Sequence, residues 1–393
     1  MKLFNKQSLV FTFFLLYCVT NSLAQDKLKI TFGPYLQQVS ETSATFIWQT
    51  NEESVGWVEI APDDATHFYA AERPQYFNTY LGKKYIGNLH TVTINNLKPG
   101  TTYRYRAFSQ QVSRRDNDRY VFLTYMANTK VYKVEPLKFT TLDTQKETIA
   151  FAMINDIHEN NELQTSLLDK VKDEDVDFVV FNGDMSNDIR TTDKIIDGYM
   201  KTATNLFASE IPLFMVRGNH EPRGVGAQEF MNFFPSPTGL PYYSFKHGNT
   251  FFIALDCGED KTDPDVEYDN LNFFDEYRIQ EVAWLKELVQ SEDFKGAKRK
   301  IVFLHMPPLT DHWHGPAHLD ELFVPILNDA NIDLMLSGHL HRHWYIEPNY
   351  QNCNFPVLVN SNKHKTRVEI SDKHVDIKVS DDQGKVVFEK TLK

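Results

Sequence analysis

Two hydrophobic periods divide this chain. Apolar and polar residues alternate in Ala44-Thr45-Phe46-Ile47-Trp48-Gln49-Thr50 and again in Val55-Gly56-Trp57-Val58-Glu59-Ile60. Residues two apart share one face of a strand, so each run predicts a half-buried strand. Thr91-Val92-Thr93-Ile94 predicts another. The turn Asn95-Asn96-Leu97-Lys98-Pro99-Gly100 then leads into Thr102-Tyr103-Arg104-Tyr105-Arg106-Ala107. Beyond the polar stretch 143–148 the period changes. Short apolar runs at 149–154, 178–181, 213–216, 250–255, 300–304 and 334–336 predict buried strands. Between them lie helical stripes. Leu163, Leu167, Leu168 and Val171 form one, and Val282, Leu285 and Val289 form another within a helix predicted over 277–289. From Phe355 the pattern returns to β, with Asp381-Asp382-Gln383-Gly384 as a hairpin turn.

This order predicts an all-β sandwich over 25–145, followed by an α/β domain over 148–393 in which two mixed sheets are flanked by helices. The segments 69–89 and 110–132 exceed what such a sandwich needs and are expected as insertions. Trp48 and Trp57 are expected in its packing. Residues 1–24 read as a signal peptide: Lys2 and Lys6 precede an apolar stretch, 9–19, too short to span a bilayer, and Ser22-Leu23-Ala24 offers a cleavage site. Tyr17 is too bulky for a lipidation signal at Cys18. A periplasmic or secreted protein is expected, without a transmembrane segment after cleavage. Loss of Lys2 and Lys6 would take the net charge from −12 to −14. That acidity makes the chain a poor candidate for nucleic-acid backbone binding, which needs clustered basic surface, and none is expected. An anionic substrate would have to be drawn by local charge, which bound cations supply. An exported setting permits a disulfide between Cys257 and Cys353; two separate buried thiols are the alternative.

Five polar blocks follow the apolar runs: Asp156-Ile157-His158, Gly183-Asp184, Gly218-Asn219-His220-Glu221, His305, and Gly338-His339-Leu340-His341. Ligands gather at the carboxyl ends of strands in α/β sheets, so the five converge on one crevice. A carboxylate such as Asp184 has two oxygens and is suited to bridging two cations. Nitrogen and oxygen donors without a thiolate suit Zn, Mn or Fe and disfavour an all-oxygen calcium cage. Taken singly, each block reads as a surface histidine or a turn. Arg217, Arg223 and Arg342 are candidates for phosphate contact or for salt bridges. His312, Trp313, His314 and Trp344 are candidates for substrate contact or local packing, and His343 for a rim or structural role. The acidic run 260–276 reads as a solvated loop or a lid.

The ordered set resembles the calcineurin-like metallophosphoesterases, whose pattern is Asp-x-His, Gly-Asp, Gly-Asn-His-Asp/Glu, His and Gly-His-x-His. That resemblance implies a first metal on Asp156, His158, Asp184 and His341, and a second on Asp184, Asn219, His305 and His339. His220 then lies beside the phosphate and its leaving group, and Glu221 is expected to orient a histidine. Leu97-Lys98-Pro99-Gly100-Thr101-Thr102-Tyr103-Arg104-Tyr105 resembles fibronectin type III modules. Phe32-Gly33-Pro34-Tyr35-Leu36-Gln37 resembles the sandwich that precedes purple acid phosphatase domains. Those enzymes place a tyrosine ligand three residues after the bridging aspartate, where this chain has Asn187, so no tyrosinate colour is expected. The implied activity is metal-activated hydrolysis of a small-molecule phosphoester by two divalent or trivalent ions. A phosphomonoesterase is favoured; a phosphodiesterase, a nucleotide hydrolase and a non-catalytic binding protein are the alternatives.

Overall fold

The computed structural model describes residues 27–114, 117–130, 134–268, 270–309 and 313–393. The proposed signal peptide and His312 lie outside the described residues. The N-terminal region is organised by one 20-residue strand, Ser43–Pro62. Its first half pairs with Ile30–Gln37 and Gly87–Asn95, and its second half with Gln75–Phe77 and Thr102–Arg114. The register shifts between Gln49 and Ser54, where Asn51-Glu52-Glu53 breaks the alternation. The two predicted strands are therefore one. Through this long strand seven strands are hydrogen-bonded into one continuous set, with Thr79–Tyr80 and Lys83–Lys84 as a separate ribbon, and the region is all-β as expected. Its core holds Phe46, Trp48, Tyr105 and Phe139, all buried, with the Phe46 ring 4.7 Å from Tyr105 and 5.2 Å from Phe139.

Two six-stranded sheets follow. In the first, Leu213–Val216, Phe178–Asn182 and Thr148–Ile154 run parallel, and His364–Ser371, Val375–Asp381 and Val386–Leu392 extend them antiparallel. In the second, Thr250–Leu255, Arg299–Leu304, Leu334–Ser337 and Val357–Val359 are parallel, with antiparallel strands at both edges. Phe151, Phe178 and Phe214 from the first sheet meet Phe245, Phe252 and Phe303 from the second. Area alone makes each fully buried phenylalanine worth about 1.5–3 kcal/mol. The outer faces are covered by helices, Asn161–Leu168 and the helical stretch 193–208 on one side, Phe274–Leu288 and His314–Asp329 on the other. Neither 193–208 nor His314–Asp329 was expected from the sequence. Two π-turns, Ile196–Met200 and Thr204–Ala208, disturb the 3.6-residue period of the first.

The N-terminal sheet docks directly on the first helical layer. Phe32, Tyr35 and Ile47 share a cluster with Tyr199, Phe207 and Phe234. The Tyr35 hydroxyl donates to the Phe233 carbonyl at 2.8 Å, and the Tyr105 hydroxyl to that of Ser209 at 2.7 Å. Cys257 and Cys353 are separate buried thiols.

Candidate metal centre

The parallel strands of both sheets end at the same crevice, and backbone contacts lock their loops together. Asp156 N–H donates to the Gly183 carbonyl, His158 N–H to Asp184, and Gly338 N–H to His305, at 3.0, 3.1 and 2.8 Å. Close approach depends on glycine. A Cβ on Gly183, whose φ is +85°, would collide with the His305 ring, and one on Gly218 with the Asp184 backbone. Asp156, His158, Asp184, His339 and His341 all adopt left-handed backbone conformations, with φ between +48° and +67°. Such geometry costs a residue with a Cβ about 1–2 kcal/mol and aims the side chains inward off the strand ends.

The side chains form two adjoining donor groups. Asp156, His158 and His341 make one: His341 Nε2 lies 3.1 Å from Asp156 Oδ1 and 3.2 Å from His158 Nε2. Asp184, His305 and His339 make the other, with His305 Nε2 3.0 Å from Asp184 Oδ2. Asn219 joins the second through its Oδ1, 3.0 Å from His339 Nδ1. Asp184 is also grouped with His158 and His220, so it reaches both sets. All seven predicted ligands are brought together, and His220 stands at their edge, its Nε2 3.8 Å from Asp184 Oδ2.

This donor set fits cations. Asp156 Oδ1 and His305 Nε2 are buried and make no well-directed hydrogen bond, although they lie 3.1 and 3.0 Å, respectively, from an atom of another donor residue. Although burial disfavours its charge, the Asp184 and Asp156 carboxylates raise the His305 imidazole to about 10. Burial would also raise the Asp184 carboxyl, but His305 and His220 hold it below the ordinary carboxylate range. Carboxylates buried this closely call for positive charge, which the His305 imidazolium supplies and which a bound divalent or trivalent ion would supply in place of that proton. The orientation of His305 is set by a backbone carbonyl, that of Asn182, 2.6 Å from Nδ1.

Glu221 departs from expectation. It orients no histidine. Its Oε2 accepts from the backbone N–H of Asp184 and Gly218 at 3.0 and 2.8 Å, and its Oε1 from Met185 at 2.7 Å and Ser186 at 3.4 Å. Burial and the nearby Asp184 charge raise its carboxyl. Four donors nonetheless face it, so the ionised form is the one that satisfies the geometry. Glu221 thus fixes the turn that carries Asp184. Sequence reasoning had no signal for this, because backbone donors leave no trace in residue identity.

The other candidates separate clearly. Arg217 pairs with Asp256 at 2.5 Å, Arg223 with Glu259 at 2.8 Å, and Arg342 lies 4.8 Å from the Trp344 ring centroid. His343 packs on Phe388 and is structural. Asn187 turns its amide to the His158 carbonyl at 3.3 Å, away from the donors. The segment 260–276 is more than a solvated loop, since Asp260 is buried and Tyr268 bonds to Arg223. Asp275, His314 and His318 form a further donor trio, but the Arg278 guanidinium sits 3.2 Å from Asp275 and 3.4 Å from His318. A fixed cation already answers that carboxylate.

Comparison with known proteins agrees with this geometry. Residues 149–343 match the calcineurin-like phosphoesterase family, and residues 32–124 match the purple acid phosphatase N-terminal domain. Purple acid phosphatase 21 of Arabidopsis thaliana is 24% identical over 272 residues, covering 67% of this chain and 54% of that protein. Purple acid phosphatase 23 of the same plant is 22% identical over 357 residues, covering 77% of this chain and 71% of its own. The chain thus spans about half the length of the first of these relatives. The solved structure of TT1561 from Thermus thermophilus aligns with a TM-score of 0.40 and 12% identity, over 60% of this chain and 99% of that one.

Proposed function

This chain belongs to the calcineurin-like phosphoesterases and carries a purple acid phosphatase N-terminal domain, and on that premise we propose a two-metal phosphohydrolase that prefers small phosphomonoesters. It is a hydrolase acting on phosphoesters. The observation that most supports the finer reading is the position of Asp184, within reach of donors from both groups. By this reading Asp156, His158, Asp184 and His341 hold one ion, and Asp184, Asn219, His305 and His339 the other, each Fe, Mn or Zn. Bound ions would neutralise the phosphoryl oxygens and lower the pKa of an attacking water.

His220 performs the chain's own proton chemistry. Its Nδ1–H donates to the Asn187 carbonyl at 2.7 Å, which fixes the ring and leaves Nε2 toward the donors. Arg223 Nη1 lies 3.2 and 3.1 Å from the two ring nitrogens. A group equidistant from both must lie over the ring face, off either lone pair, which leaves Nε2 open in the ring plane toward the donors. With Nδ1–H on the Asn187 carbonyl, Nε2 donates only from the imidazolium form, and from that form its N–H would pass to the departing oxygen as the ester bond breaks. Export to the periplasm or beyond is part of the same reading. Among the described residues no helix is long and apolar enough to cross a membrane.

The test compares an aryl phosphate, a bis-aryl phosphate and several nucleotides under different added metals, for wild type, Asp184→Asn and His220→Ala. The monoester should turn over fastest, and both variants should lose most of that rate. Full activity in Asp184→Asn would end the bridging-carboxylate reading. Fewer than two ions per chain without metal-dependent turnover would favour a binding protein.

A further inference from the structure

A cavity of ≈ 1020 Å³ opens behind His220. It shares two residues with the histidine's surroundings: Asn187, whose carbonyl holds the ring, and Arg223, which covers its face. The space therefore adjoins the His220 ring on its Nδ1 side and over its face, so the body of an ester cleaved at Nε2 would enter it past the ring. Its near wall is preformed. Ile189 N–H donates to the Arg223 carbonyl at 2.7 Å, Gly226 N–H returns to that of Ile189 at 2.8 Å, and Gly224, at φ +87°, lets the loop pass against Ile189.

The far wall is apolar and exposed. Phe273, Leu271 and Val225 line the cavity while 72%, 82% and 87% exposed, beside the rings of Tyr268, Phe274 and Tyr277. Large apolar side chains held this open around a concave site gain by covering each other or a ligand. The charged groups lining the cavity are answered within the protein. Arg190 pairs with Asp188 at 2.9 Å, Arg223 with Glu259 at 2.8 Å, and Glu267 with Lys261 at 2.8 Å. No surplus charge is left for a second phosphate or a carboxylate. The volume is at the upper end of small-molecule sites and well beyond what a short polyol would fill.

Building on the hydrolase reading of His220, we propose that this cavity is a leaving-group subsite for phosphomonoesters of bulky, uncharged aromatic alcohols. The phosphate would face the metal centre while the aromatic body lies between the 222–228 loop and Phe273. Polyphosphates and small sugar or glycerol phosphates lack the group that the walls are built to cover.

Leaving-group acidity is kept nearly constant by comparing phenyl phosphate with 4-phenylphenyl phosphate in the metal-loaded full chain. Wild type should favour the larger ester by about tenfold in kcat/KM, the gain expected for covering one more ring, and the gain should fall mainly on KM. Phe273 and Leu271 are exposed, so Phe273→Ala combined with Leu271→Ser should fold. In that variant the ratio should drop to near one. Calorimetric binding of free 4-phenylphenol, which needs no turnover, should weaken about tenfold in the same variant. An equal wild-type rate on both esters, or a preference that survives the double substitution, overturns the subsite. So does absent binding of the phenol by wild type. Failure to cleave either ester while the phenol still binds would instead sink the hydrolase reading and leave the cavity as a binding site.

Discussion

Replacing Glu221 by glutamine turns one carboxylate oxygen into an NH₂ and leaves the side-chain volume nearly unchanged. The native carboxylate, 0% exposed, accepts four backbone N–H groups. An amide has one oxygen. If that oxygen keeps the Asp184 and Gly218 donors, the NH₂ confronts the Met185 N–H, which native Glu221 holds at 2.7 Å. The Ser186 N–H, already 3.4 Å away, has little to lose, so one buried donor is left unmatched, at about 1–3 kcal/mol. The two retained bonds also lose charge assistance, about 1 kcal/mol each. The total, about 3–5 kcal/mol, is a large part of an ordinary domain's stability. Denaturant unfolding followed by tryptophan fluorescence, with metal content and aryl phosphate turnover measured alongside, reads all the consequences. The midpoint should fall, and turnover and bound metal should fall with it, because the displaced turn carries Asp184. A variant within about 1 kcal/mol of wild type, with full metal and full rate, would refute the role assigned to the four backbone bonds.

Three further outcomes follow from other parts of the molecule. Burial lowers the His90 imidazole to about 4, so the folded chain resists a proton that the unfolded chain accepts below about 6.5. Stability should then fall by about 3 kcal/mol as pH drops from 6.5 to 4, and His90→Gln should flatten that slope in pH-dependent unfolding; an unchanged slope would assign the acid loss elsewhere. Gly218→Ala should abolish aryl phosphate turnover, because its Cβ meets the Asp184 backbone, which has nowhere to retreat; wild-type kinetics would show that the loops yield. Burial raises the Cys257 thiol and takes Cys353 to about 12, so neither should react with iodoacetamide at about pH 8 until the protein unfolds. Labelling of the native protein would contradict their burial.

The metal donors were legible because their chemistry tolerates few substitutes and because short spacings survive folding. Asp156 and His158, or His339 and His341, announce a shared site from two positions apart. The groups that complete the site were hidden for a physical reason. Glu221 works through backbone amides, which every sequence contains. Arg223 and Glu259 meet across 36 residues, so 260–276 looked like a solvated loop. The strand alternation around Trp48 and Trp57 was readable, but the continuity of Ser43–Pro62 through Asn51-Glu52-Glu53 was not, since three polar residues ordinarily mark a turn. In the helical stretch 193–208 the apolar residues are present, yet π-turns shift them off the spacing by which a helix is recognised.

The left-handed residues of the crevice bear on how such a protein changes under selection. Glycine at position 158 or 341 would relieve about 1–2 kcal/mol of backbone cost and add about 0.5–1 kcal/mol of chain entropy to be lost on folding. Deleting a ligand there is therefore nearly free for the fold, or slightly stabilising. A library screened for heat resistance alone would accumulate inactive members at these positions. Only a screen that also demands turnover would keep His158 and His341.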